Sequence, residues 1–329
     1  MAAAAAQRAA SLSCWSGREM QITHVNDVQA DLGLGEGRTN QNFIATDIAS
    51  GERFFVRIGG DLPAYGVTRS KEQAAARAVD ASGIGARVVH SELPDALVCA
   101  FVSGRSLTQV EMKAACDGKD EQLLDSLTEA MRCLHRTPMP PEIASIAPAL
   151  PQWAPPDVLS WLGYARERGF SRLPLLEGAD DLLAQVEEAA GSLAAGSTCF
   201  CHFDLLPDNF VVDKSAAPPL VAIVDFEYCN AGQPLMDLAV LSMGCELSEA
   251  QERALLCSYL EVSELSDQHI ITAIAVKVLA TLRETLWGVV AEVSGSSALS
   301  AADAVKYTDE NYAKFMEARA RFEHAWKRT

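Results

Sequence analysis

The amino-acid sequence predicts an α+β chain of two lobes, a small β-rich N-terminal lobe and a larger, mainly helical C-terminal lobe. Three observations carry this reading. Short strand-like runs around glycine turns fill the stretch from Ile22 to Ala100. From Glu121 onward apolar residues recur at spacings of three and four. Two isolated strand-like runs, Cys199–His202 and Val221–Val224, interrupt that helical half, and each leads into an acidic residue.

In the first lobe, expected over residues 21–103, Gly33 to Asn40 is a glycine-rich turn. Asn42–Ala45 and Phe54–Ile58 read as strands joined at Ser50-Gly51. Thr68 to Ala81, dense in Ala, Glu, Lys and Arg and stopped by Ser82-Gly83, is helix chemistry. Ala96–Val102 reads as a buried strand leading out of the lobe. Residues 1–20, rich in Ala and Ser, read as a disordered tail; they lack the Leu-rich core of a secretory signal.

Residues 104–329 form the second lobe. Glu121–His135 carries the helical period through Leu123, Leu124, Leu127, Ala130, Met131 and Leu134. The proline-rich stretch from Pro138 to Pro156 has no period and reads as a loop. Val158–Arg168 and Asp180–Ala195 are further helices, and everything beyond Asp237 is helix through Trp326.

Composition narrows the function classes. Among 329 residues, 44 acidic side chains face 27 basic ones, a formal net charge of −17. Nucleic acid and anionic membrane surfaces would repel such a chain, and a cationic partner would be favoured. The apolar runs are shorter than the ~20 residues that span a bilayer, so no transmembrane helix is expected. Nine cysteines scattered without a C-x-x-C pair argue for reduced thiols in a cytoplasmic setting, against a zinc site or a disulfide framework. A homodimer is compatible with the sequence.

The most informative string is His202-Phe203-Asp204-Leu205-Leu206-Pro207-Asp208-Asn209, followed sixteen residues past Asn209 by Asp225-Phe226-Glu227. Phosphoryl transfer needs one carboxylate to orient the hydroxyl and accept its proton, plus oxygen ligands for Mg²⁺ beside ATP. The spacing makes Asp204 the catalytic base and puts Asn209 and Asp225 on the metal.

The string HFDLLPDNF…IVDFEYCNAGQPLMDLA resembles the choline/ethanolamine kinase branch of the aminoglycoside-phosphotransferase-like families, which share the protein-kinase fold. The similarity runs over residues 33 to 320. It implies an ATP- and Mg²⁺-dependent kinase acting on the hydroxyl of a small cationic alcohol such as choline. Ethanolamine, thiamine and aminoglycosides are alternative acceptors, and a non-catalytic nucleotide-binding pseudokinase is the alternative outside the enzyme class.

The resemblance also assigns residues. Gly35, Gly37, Thr39 and Asn40 match the turn that covers the ATP phosphates. Arg57, with Glu72 on the next helix, stands where the wider superfamily has a phosphate-binding Lys. Ala96–Val102 matches the hinge that holds adenine. Glu227, Tyr228, Glu284, Trp287, Tyr307 and Tyr312 match positions that line the amine pocket, where aromatic faces suit an ammonium. Val290 stands where the eukaryotic choline kinases have a second Trp, so one wall of the cage is absent. Asp237 and His202 are expected to be scaffold residues.

Overall fold

The computed structural model describes residues 2–32, 40–144, 155–174, 177–190, 198–295 and 299–327. Five antiparallel strands, β1 (Met20–His24), β2 (Gln41–Asp47), β3 (Arg53–Ile58), β4 (Val88–Glu92) and β5 (Ala96–Ala100), form the small lobe in the order β1-β2-β3-β5-β4. Alternation decides what each face does. Phe43 and Ala45 of β2, Phe54, Val56 and Ile58 of β3, and Ala96 and Val98 of β5 bury one side in a compact cluster. The intervening Phe55, Arg57, Leu97 and Cys99 line the cleft on the other side.

The disordered tail expected over residues 1–20 is corrected by the structure. Helix α1 (Ala2–Ala10) lies over the buried face of the sheet, followed by a short turn that carries Trp15. Trp15 packs 5.2 Å from the Phe54 ring and donates its indole N–H to the Ala9 carbonyl. Arg8 bonds Glu92 at 2.7 Å and Asp95 at 2.9 Å. The Ala-rich sequence concealed this because its apolar surface is small and its anchors, one Arg and one Trp, act across the chain.

Helix α2 (Val25–Leu32) follows β1, and α3 (Arg69–Ala81) packs beside the sheet on its cleft side. After β5 the chain enters the larger lobe through β6 (Arg105–Ser106), then α4 (Gln109–Cys116) and α5 (Glu121–Arg136). Short α6 (Pro141–Ala144) interrupts the expected loop; residues 145–154 of that loop lie outside the described residues. Helices α7 (Pro156–Glu167) and α8 (Ala179–Ala190) follow, and the expected extension of the latter to Ala195 also lies outside them.

Four short strands then build the site: β7 (Cys199–Cys201), β8 (Phe210–Asp213), β9 (Leu220–Ile223) and β10 (Asn230–Gly232). β7 pairs with β10, and β6, β8 and β9 form a three-stranded sheet. β8 is not among the expected strands: it spans only four residues, and its Phe-Val-Val run is too short to stand out beside the Pro207-Asp208-Asn209 turn. The lobe closes with α9 (Pro234–Gly244), α10 (Glu249–Leu260), α11 (Asp267–Ser294) and α12 (Ala301–Trp326). α11 is the central post, buried from Ala275 to Ala291 except at Lys277 and packed on α7, α8, α9 and α12. Among the described residues no helix is long and apolar enough to cross a membrane.

Candidate active site

The catalytic string lies between β7 and β8, where two short strands fix its ends. Asp237, the fourth residue of α9, accepts the backbone N–H of His202 at 2.8 Å and of Phe203 at 2.7 Å. Burial works against that carboxylate, but hydrogen bonding from His135 and the loop outweighs it and holds its pKa below the usual range. His202 bonds the Val224 carbonyl through Nε2 at 2.9 Å, while its Nδ1 accepts the Asp204 N–H at 3.2 Å. That fixes one tautomer, and burial lowers its pKa, so His202 is a neutral brace.

Phe203 is held at φ 63° and Asp225 at φ 67°, left-handed conformations that non-glycine residues adopt at a cost. Gly232 makes the first one feasible: a Cβ there would lie 2.3 Å from the Phe203 ring. The turned backbone at Asp225 sets that residue on the inter-lobe cavity.

Asn209 donates its amide N–H to the Asp204 carbonyl at 2.7 Å, which leaves its side-chain oxygen for a ligand. Asn209 and Asp225 line one cavity between the lobes, together with Asn40, Arg57 and Glu72. The inner part of that cavity is apolar, walled by Val79, Leu97, Val211, Ile223 and Phe226, and its edge includes the Phe101-Val102 backbone segment expected to be the hinge.

The cavity's polar end is a web of buried charge. Arg57 and Glu72 pair at 2.9 Å. Arg69, wholly buried, joins Glu72 and Glu227, each at 2.9 Å, and bonds Asn40 at 2.5 Å. Asn40 in turn donates to Glu227 at 3.1 Å. Glu227 is thus tied to Arg69 and Asn40 of the small lobe and links the two lobes. Gly35, Gly37 and Thr39 lie outside the described residues.

Asp225 lines the cavity with its side chain open to it, among protein groups that displace much of its water. That loss of water, and then the charges of Glu227, Glu72 and Asp204, push its pKa above the ordinary carboxylate range. Such crowding of like charge is relieved by a cation, and the donors available, a carboxylate and an amide oxygen, are the hard oxygens that suit magnesium.

The far side of Asp204 is built by α7, α11 and α12. Arg283 of α11, without solvent exposure, bonds Asp157 at 2.6 Å and Glu284 at 2.9 Å and reaches to 3.6 Å from Asp204. Its guanidinium lies 4.8 Å from the Tyr228 ring centre and 5.2 Å from that of Trp161. Burial, opposed by Arg283 and assisted by Glu284, Glu227 and Asp157, pushes the Asp204 pKa up to about 7.

Trp287 donates to the Tyr228 hydroxyl at 2.9 Å and packs between Tyr65, at 5.4 Å, and Tyr307, at 5.1 Å. Tyr307 donates to Glu284 at 2.6 Å. The Trp-Gly pair has a physical reason: a Cβ on Gly288 would lie 2.5 Å from the Thr308 hydroxyl, so glycine lets α12 come close enough to lay Tyr307 on Trp287. Tyr312 is not brought into this group; among the described residues its ring contact is with Phe315 on its own helix.

The deciding observation is that a family model described as "Phosphotransferase enzyme family" matches residues 32–270, more than half of the chain and all of the catalytic string. The chain belongs to the phosphotransferase enzyme family. No curated protein matches its sequence. Among solved structures, this phosphotransferase is similar to a choline/ethanolamine kinase family protein from Mesorhizobium loti, at 21% identity and TM-score 0.70, over 99% of this chain and 97% of that one. It is also similar to a Plasmodium vivax ethanolamine kinase, at 13% identity and TM-score 0.72, over 93% of this chain and 84% of the other. A GDP complex of aminoglycoside 2'-phosphotransferase-IIIa matches at 17% identity and TM-score 0.63, over 96% and 98% of the two chains. At these identities the likeness shows the two-lobed kinase-like fold, and the acceptor is left to the residues of the site.

Sequence reasoning missed Arg69, Asp157, Trp161 and Arg283. One signal was present for Arg283: it is a lone cation on the apolar stripe of α11, between Leu282 and Leu286.

Proposed function

We propose that this phosphotransferase is a kinase that moves the γ-phosphoryl group of ATP to the hydroxyl of a small cationic amino alcohol, choline foremost. The observation that carries this is that Asn209 and Asp225 line one inter-lobe cavity beside the Arg57–Glu72 pair, with the Asn209 amide bonded to the Asp204 carbonyl. Adenine would lie in the apolar inner part, with its edge at the Phe101-Val102 backbone. Arg57 would steady the phosphates, as Asn40 and the glycine turn would cover them.

Asn209 and Asp225 would hold magnesium, which when bound neutralises charge on the terminal phosphates. Asp204 orients the acceptor hydroxyl and takes its proton as the oxygen attacks, and its raised pKa suits a base working near neutrality. His202 and Asp237 keep the loop in place. Glu284, Trp287, Tyr307 and Tyr228 supply a negative and aromatic wall for the cationic end of the acceptor.

A second reading, a primary amine such as ethanolamine or an aminoglycoside, is favoured by one observation. Arg283 already occupies the space against the faces of Tyr228 and Trp161, so a quaternary ammonium would have fewer rings to contact. An N–H-bearing cation can instead hydrogen-bond the carboxylates of Glu284 and Asp157. Coupled ADP release across choline, ethanolamine, thiamine and kanamycin tests both. Turnover highest with choline supports the first reading, turnover confined to primary amines supports the second, and no acceptor-dependent release refutes the cationic acceptor.

A further inference from the structure

We propose that His135, Cys199 and Cys201 form a binding site for a thiophilic divalent cation such as zinc(II), behind the catalytic loop and separate from the ATP cleft. The proposal does not rest on the identity of the acceptor or on phosphoryl transfer.

The three residues come from two elements. His135 lies in the last turn of α5, and Cys199 and Cys201 are alternate residues of β7, so both thiols leave the same face of the strand. Their sulfurs are 3.5 Å apart, and the ligand atoms of all three residues lie within 4.8 Å of one another. A tetrahedral zinc with Zn–S of about 2.3 Å and Zn–N of about 2.0 Å separates its ligand atoms by about 3.5–3.8 Å. Shifts of about 1 Å would therefore close the site. It is the group of this kind found among the described residues.

The histidine is already arranged as a metal-bound imidazole is. Its Nε2 faces Asp237 Oδ2 at 3.0 Å, and because a carboxylate only accepts, Nε2 carries the proton. Nδ1 then presents its lone pair, at present to the Tyr259 hydroxyl 2.7 Å away. A carboxylate behind an imidazole fixes its tautomer and strengthens it as a ligand. On binding, the cation replaces the Tyr259 hydrogen at Nδ1.

Charge and softness select the ion. Each thiol loses its proton to solvent, and two thiolates with a neutral imidazole cancel a 2+ charge, which suits a position where Cys201 is wholly buried. Sulfur donors favour zinc or cobalt over magnesium. Cys199 is only half-buried and gives the side of entry. Sequence spacing hid the group, since the imidazole comes from a helix far upstream of the C-x-C pair. The same Asp237 that faces His135 also holds the His202 and Phe203 N–H groups, so an occupied site would brace the base of the catalytic loop.

The test is titration of the full, metal-stripped and reduced chain with cobalt(II). One equivalent should give the visible bands of a tetrahedral ion together with thiolate-to-cobalt charge transfer in the near ultraviolet, and zinc should displace both. Cys199→Ser, at the half-buried position, should lose much of the charge-transfer absorption while circular dichroism stays unchanged. Zinc should raise the thermal midpoint of the native chain and not that of Cys199→Ser. Absence of charge transfer in the native chain, or the same spectrum in a Cys199→Ser/Cys201→Ser double variant, would overturn the site.

Discussion

On the nucleotide side of the cleft, Arg57 and Arg69 face Glu72, Glu227 and Asp225 around an open cavity; on the acceptor side, the single guanidinium of Arg283 is sealed among Asp157, Asp204, Glu284 and the rings of Trp161 and Tyr228. Both sides gather more carboxylates than cations. The nucleotide side leaves Asp225 short of positive charge, so its balance is completed by what arrives with the nucleotide. The acceptor side carries its own cation and is packed around it. On the proposed reading, the same acidic excess draws in a cation on one side and holds Asp204 rigidly as the base on the other.

The largest way to break the contrast is Arg283→Met. Removing the cation leaves Asp157 and Glu284 buried without their partner, and breaking a buried pair from one side costs about 3–5 kcal/mol. Urea unfolding should show a loss of that order. A change below about 1 kcal/mol would mean that the acceptor side is not held by Arg283.

A sharper probe is pH. With the Asp204 pKa pushed up to about 7, turnover should fall about tenfold per pH unit below that value, as the base is protonated. Stability runs in the opposite sense. A carboxyl whose folded pKa is raised contributes stability that is fully present below its unfolded pKa of about 3.9 and is lost as pH rises to about 7. The thermal midpoint should thus drop across that window by less in Asp204→Asn than in the native chain.

The smallest effect distinguishes the two acceptor readings. Trp287→Ala removes a ring worth ~0.5–2 kcal/mol to a bound cation, so the acceptor KM should rise by about two- to thirtyfold with the KM for ATP unchanged. An acceptor KM that does not move would assign Trp287 to packing between Tyr65 and Tyr307 alone.

What could be read from the sequence followed chain distance. Asp204, Asn209 and Asp225 lie within one short stretch, so spacing carried their relation, whereas the pairing of Arg57 with Glu72 followed from the family resemblance. Arg69 meets Glu227 at a separation of 158 residues, and Arg283 meets Asp157 at 126, contacts that no local pattern encodes. Tyr312 matched the family position by spacing but turns toward Phe315, because helical period constrains the face of α12 only loosely. The tail reading failed for a different reason: α1 is an alanine helix whose docking depends on Arg8 and Trp15, not on a strong apolar period.

The account rests on Asp204 as the group that takes the hydroxyl proton, and turnover of Asp204→Asn with an accepted alcohol tests it most directly. The loss should be about 10²–10⁴-fold while ATP affinity, measured by calorimetry with magnesium, stays near that of the native chain. Near-native turnover in that variant would contradict the assignment.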